Sequence, residues 1–370
     1  MRKGICWLMI TSILLLLPGC WDQDLLKDAR LMTALAFDRA PGGKLMQTVV
    51  IRDMPQAEQG EPISEVHSAI GDTSRDSTRS LEKKIAGSYR VYKAQVVLMG
   101  KSLAKTDIYP YLDVLYRDPK DPIYAKLVVV GGKGADILRM KKAGNLLIGE
   151  FLFQHVKSKE ELSIVPEESL ESIRPIMLDP GRDFILPYIE KKGDEIIADR
   201  SAMFHGHRFT GTLDTEESTL YLLGMGKEGT VARFTEKVNP GKSSNPANYI
   251  TIDVAKAKHQ LKVKVRPDGE IDATIELDLD VAVPEYPPNN LDDEKEVERL
   301  NEALSKALTK KAENMIRKMQ KARCDAFGVG RQLIAYHPEV WKKKKWSRDY
   351  PKVRFHSKVK VEITGSGIIS

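Results

Sequence analysis

From Ile271 to Val281 every second residue is apolar: Ile271, Ala273, Ile275, Leu277, Leu279 and Val281, with polar side chains between them. A period of two over that length marks a strand with one buried and one wet face. Just upstream, Leu261, Val263 and Val265 alternate with lysines and an arginine, and Pro267-Asp268-Gly269 joins the two runs. Proline presets φ and glycine tolerates positive φ, so the pair reads as an antiparallel hairpin. Val353, Phe355, Val359, Val361 and Ile363 are expected to form a partner strand, and Tyr249–Val254 another. The dry face of such a sheet needs a cover. Residues 291–323 supply one: Val297, Leu300, Leu304, Leu308, Met315, Ile316 and Met319 form a stripe at helical spacing. Asn290 is placed to cap that helix, with acids at its start and Lys318, Lys321 and Arg323 at its end. A coiled coil is the other reading of so long a stripe, but the heptad continued from Val297 puts Lys311 on the seam.

The first half has a different texture. Leu31–Phe37 and Leu45–Ile51, separated by Pro41-Gly42-Gly43, read as a hairpin. Polar residues 55–76 read as an exposed loop and 76–88 as a helix. Ala94–Met99 and Tyr124–Val130 read as strands, Ile108–Tyr116 and Asn145–Val156 as helices. Helices and strands interleave without the regular alternation of a doubly wound fold. The expected class is therefore α+β and multi-domain, with mixed or antiparallel sheets, packed helices and the long helix on an antiparallel sheet. The expected division is a removable segment 1–19, an N-terminal region 20–193 (divisible in two near 143) and a C-terminal α+β domain 194–370.

The compartment follows from the first twenty residues. Arg2 and Lys3 precede an apolar run from Ile5 to Leu17, shorter than the roughly 20 residues that span a bilayer, and a basic start before a short apolar run reads as a secretory signal peptide. Leu17-Pro18-Gly19-Cys20 then has the form of a bacterial lipobox, in which the cysteine takes a diacylglyceryl group and becomes the first mature residue. Two acyl chains make a stable anchor where one does not. Cys6 leaves with the signal and Cys20 carries lipid, so Cys324 is alone, no intrachain disulfide forms, and a core position is expected for it. With 30% charged residues the remaining chain is no polytopic membrane protein, and a net charge of +6, two of it from Arg2 and Lys3, is too mild to imply nucleic acid.

No catalytic constellation stands out. Gly131-Gly132-Lys133-Gly134 follows a strand as a dinucleotide loop would, yet Ile137 occupies the third small position. Gly100-Lys101-Ser102 mimics the end of a phosphate loop without its upstream glycine. His205 and His207 would share a face on a strand and could begin a metal site, but no third ligand lies nearby. No Gly-x-Ser-x-Gly elbow occurs. The chain is expected to have no catalytic residues, metal or cofactor. Trp341 and Trp346 flank four lysines and are expected to be structural or interfacial; at a membrane each lysine would contribute about 1 kcal/mol against anionic head groups.

The chain resembles the Ger(x)C family, the C-subunit lipoproteins of nutrient germinant receptors in endospore-forming bacteria. The residues that carry this are Gly19-Cys20-Trp21-Asp22; Ala202-Met203-Phe204 with Gly211-Thr212-Leu213; Gln320 and Asp325-Ala326-Phe327-Gly328; Pro338, Trp341 and Trp346; and Phe355 with Val359-Val361-Ile363. The resemblance implies a non-enzymatic lipoprotein, anchored through Cys20 to the outer face of the inner spore membrane. It implies A-type and polytopic B-type receptor subunits as partners, with the nutrient acting on the assembly and not necessarily on this subunit. The alternative from another class is a solute-binding lipoprotein of a transporter, which would need two similar lobes around a cleft.

Overall fold

The computed structural model describes residues 29–365 except 54–61, 87, 118–120, 240 and 242–244. The signal-like segment and Cys20 lie outside the described residues.

The first sheet has nine strands: β1 (Ala29–Arg39), β2 (Leu45–Asp53), β3 (Ile63–Gly71), β4 (Ser88–Arg90), β5 (Val96–Gly100), β6 (Lys126–Val130), β7 (Ile185–Lys192), β8 (Glu195–His205) and β9 (Arg208–Leu213). Their order is β9-β8-β7-β6-β5-β1-β2-β3, with β4 beside β1. The central strands β1, β5, β6 and β7 run parallel, and antiparallel strands flank them on both sides. Parallel strands are buried on both faces, and the unbroken apolar runs Val96–Met99 and Leu127–Val130 fit that demand. Leu35, Phe37, Val97 and Val129 pack under α1 (Ser74–Glu82) and a helix at Leu170–Met177. Ala36, Leu98, Val128 and Val130 pack under α2 (Ile148–Glu161). The expected loop 55–76 is corrected over part of its length: Ile63–Gly71 is edge strand β3, paired in register with β2. Its polar sequence belongs to an edge, where only one side needs a partner.

The second sheet is β10 (Arg233–Lys237), β11 (Tyr249–Val265), β12 (Ile271–Glu285) and β13 (Arg354–Gly365), in that order. The β11–β12 hairpin is antiparallel and pairs as expected, Lys264 opposite Asp272 and Lys258 opposite Asp278. β13 pairs with β12 in parallel, so the sheet is mixed. The long helix, α4 (Glu294–Ala322), covers the dry face with α3 (Thr215–Met225); Leu300, Leu304, Leu308 and Met315 meet Leu277, Leu279, Val359 and Val361. Its cap is Asp293, not Asn290: the Asp293 carboxylate accepts from the Lys295 N–H at 3.0 Å.

The helix also closes the sheet edge. Val359, Val361 and Ile363 of β13 donate their backbone N–H groups to Thr309 Oγ1, Ser305 Oγ and Asn301 Oδ1 at 3.0, 2.9 and 2.9 Å. Residues 301, 305 and 309 recur every four positions on one helix face, and alternate residues of β13 present their N–H groups to them. An exposed row of strand donors is thereby satisfied without another strand.

Candidate functional site

The two sheets meet where β7 and β8 approach the segment after α4. Cys324 and Asp325 follow the helix, and α5 (Val329–Tyr336) begins four residues later. Asp325 is 1% exposed and its carboxylate takes four donors. Oδ1 accepts from the N–H groups of Gly328 (3.0 Å) and Val329 (2.9 Å), Oδ2 from Gly330 N–H (2.8 Å) and from the indole N–H of Trp346 (2.9 Å). Burial pushes its pKa up to about 7, against the pull of those N–H groups. A β-carbon at Gly330 would stand 2.6 Å from Trp346 Nε1, so only glycine admits the indole here.

Asp183, just before β7, completes the joint. Its Oδ2 accepts from the Asp325 N–H at 2.8 Å and faces His205 Nδ1 at 3.2 Å, and its Oδ1 accepts from Gly206 N–H at 2.7 Å. The bond to Asp183 raises the His205 pKa against the opposing effect of burial. On its other side His205 Nε2 lies 2.7 Å from Ser347 Oγ. Leu178, Asp179, Arg182, Asp183, His205 and Trp346 line a cleft of about 340 Å³ at this point.

Ser347, His205 and Asp183 therefore share the connectivity of a nucleophile–base–acid relay, which a search for a serine elbow passes over because the three are far apart in sequence. The electrostatics favour a different role. The bond to Asp183 raises the His205 pKa, and in whatever fraction of molecules the ring is protonated it donates from both nitrogens and cannot take a proton from Ser347. Through its two ring nitrogens His205 links Asp183 to Ser347 and so ties the C-terminal segment to the first sheet.

His205 and His207 do not share a strand face: Gly206 at φ +55° turns the chain between them, and His207 faces Asp107 at 3.1 Å and the Met177 carbonyl at 2.9 Å. Among the described residues no group of three or more His, Cys, Asp or Glu is placed to hold a metal. The glycine loop 131–134 meets a carboxylate of this chain: the N–H groups of Gly134 and Ala135 donate to Asp38 at 2.8 and 2.9 Å, where a phosphate would otherwise sit. Burial raises the Asp38 pKa. Cys324 is fully buried, and burial lifts its thiol well above the usual value. Trp341 and Trp346 come together with ring centroids 5.6 Å apart; both are partly buried against Ile271, Leu333 and Tyr350. Of the lysines between them, Lys344 donates to the Gly269 carbonyl at 2.9 Å, joining this segment to the β11–β12 turn. Among the described residues no helix is long and apolar enough to cross a membrane.

The chain is 24% identical over 366 residues to spore germination protein GerQC of Bacillus cereus, covering 98% of this chain and 99% of that protein. It is 22% identical to spore germination protein KC of Bacillus subtilis, covering 99% and 97%. The crystal structure of the GerBC protein shares the fold, with a TM-score of 0.56 and 17% identity over 89% of this chain and 96% of that one. The profile of the spore germination protein N-terminal domain matches residues 22–191, and that of the spore germination B3/GerAC-like C-terminal domain matches residues 199–367. Both halves of the chain, from just after Cys20 to the end of β13, thus carry the same assignment, and the protein belongs to the GerAC-like, or Ger(x)C, family of spore germination proteins.

Proposed function

We propose that this protein is the lipid-anchored, non-enzymatic C subunit of a nutrient germinant receptor, acting by contact with A-type and polytopic B-type subunits on the outer face of the inner spore membrane. The observation that carries this reading is the family match along both halves, together with Gly19-Cys20 directly before it. Lipid on Cys20 would confine the folded body to a thin layer at the membrane and so raise its effective concentration near its partners. Trp341 and Trp346 would brace the joint and contribute to an interface beside it. A division near Gly193 into regions 20–193 and 194–370 is part of the same proposal; it is supported by the family profiles, one ending at 191 and the other beginning at 199.

The test is Cys20→Ala. Mass analysis of the native chain should show a diacylglyceryl-modified Cys20. The variant should fold, leave the membrane fraction, and give spores that respond poorly to nutrients. An unmodified mature start, or normal germination by a delocalised protein, would overturn the reading.

A further inference from the structure

The two edges of the second sheet are finished differently. The β13 edge is closed by Asn301, Ser305 and Thr309 of α4. At the other edge β10 pairs only with Tyr249–Asp253, while β11 runs on to Val265. From Ala255 to Val265, no described residue outside β12 bonds the β11 backbone. Among the described residues ten or so residues of strand edge thus stand open, with Lys256, Lys258, Gln260, Lys262 and Lys264 exposed on the wet face.

The lysine row already has one neighbour in register. Lys256, Lys258 and Lys264 lie opposite Asp280, Asp278 and Asp272 of β12, and Lys262 Nζ reaches Glu276 at 2.5 Å. Cross-strand pairs of opposite charge stabilise a sheet and like pairs oppose it. The open side of the same row therefore favours a strand with acids at alternate positions. A second copy of this edge would set lysine against lysine, the arrangement by which edges resist self-association. On the opposite face Leu261, Val263 and Val265 are half-buried, and apolar residues at the intervening positions of an added strand would extend that layer.

We propose that residues 255–265 of β11 are a docking edge for an acidic, extended segment of a partner protein, which joins the second sheet as a further strand. This rests on the reading of the chain as a receptor subunit working through protein contacts, and it names the chemistry of one such contact. Main-chain bonds along the edge would supply affinity, and the lysine row would supply register and preference.

The test uses the purified full-length lipoprotein in detergent and two ten-residue synthetic peptides, one alternating Glu and Val, the other Lys and Val. The Glu/Val peptide should bind at least tenfold more tightly, lose affinity as salt rises, and protect the amides of 255–265 from hydrogen exchange. Replacing Lys256, Lys258, Lys262 and Lys264 by Glu should transfer the preference to the Lys/Val peptide. Equal binding of both peptides, no binding, or binding without amide protection overturns the proposal. So does a dimer of the protein whose protection maps to 255–265, which would assign the edge to a second copy. The Cys20→Ala result is independent of these outcomes, so the docking edge can fail while the anchored-subunit reading stands.

Discussion

Asp183 and Asp325, 142 residues apart, hold each other by reciprocal bonds: the Asp325 N–H donates to Asp183 Oδ2 at 2.8 Å, and the Asp183 N–H donates to the Asp325 carbonyl at 3.0 Å. This pair is one of several fastenings between the first sheet and the segment beyond the long helix, with His205–Ser347 and Arg331–Asp179 beside it. The run Asp325-Ala326-Phe327-Gly328 and Trp346 converge here, with the Gly328 N–H and the Trp346 indole both donating to the Asp325 carboxylate.

Removing donors or the acceptor at this joint should be costly in a graded way. Trp346→Phe keeps an aromatic ring, smaller than the indole, and loses one bond to a buried carboxylate, about 1.5–3 kcal/mol. Asp325→Ala leaves four N–H groups without their acceptor and should cost more, on the order of 3–5 kcal/mol. Urea midpoints for the two variants check this; a Trp346→Phe midpoint equal to wild type would remove the indole bond from the account.

The joint should make stability depend on pH. His205 has a raised folded pKa, so its contribution is complete below the ordinary 6.5 and is lost as pH climbs through the raised value. Asp325, raised from 3.8 to about 7 by burial, also loses stability as pH rises through that interval. Glu160, Glu217 and Glu236 are raised too and act in the same direction, whereas His155 is lowered by burial and acts in the opposite one. Comparing wild type with His205→Gln isolates the His205 link: the wild type should lose more stability than the variant between pH 6 and 8. Equal losses would show that His205 does not titrate as its contacts require.

Ser347 should be chemically quiet. With His205 drawn toward its charged form, a fluorophosphonate probe is expected to leave Ser347 unlabelled at neutral pH. Stoichiometric labelling abolished by His205→Gln would instead make the Ser347–His205–Asp183 relay a working nucleophile.

The β13 edge gives a separate expectation. Ser305→Ala strips Val361 N–H of its acceptor and should cost about 1 kcal/mol. The triple change at Asn301, Ser305 and Thr309 to Ala should also open a twelve-residue strand to other chains. Light scattering should then show more self-association than for the wild type; a triple variant that associates no more than the wild type would show that the helix itself, and not its polar side chains, guards the edge.

The glycine loop offers a last check. Asp38→Ala leaves the Gly134 and Ala135 N–H groups bare in a buried site, at about 1–3 kcal/mol each. Thermal unfolding should show a lower midpoint, and an unchanged one would mean that water replaces the carboxylate.

Local periodicity determined much of this protein. The alternation from Ile271 to Val281, the Pro267-Asp268-Gly269 turn and the stripe from Leu300 to Met319 dictated a half-wet hairpin and the helix that covers it, because each pattern says which side chains must leave water. The pattern is silent about a strand's neighbours. Val359, Val361 and Ile363 read the same whether β13 runs parallel or antiparallel to β12, and Ile63–Gly71 is polar enough to pass for a loop until β2 takes it as an edge. The joint was the least legible part. His205 and Asp325 stood out in sequence, but as a metal-site candidate and as part of a family-like run; nothing linked them to Asp183 or Ser347, and only the packing of β7, β8 and the segment after α4 brings the four within hydrogen-bond reach. There, exclusion of water makes every donor seek a partner, and that requirement arises only once the chain has folded.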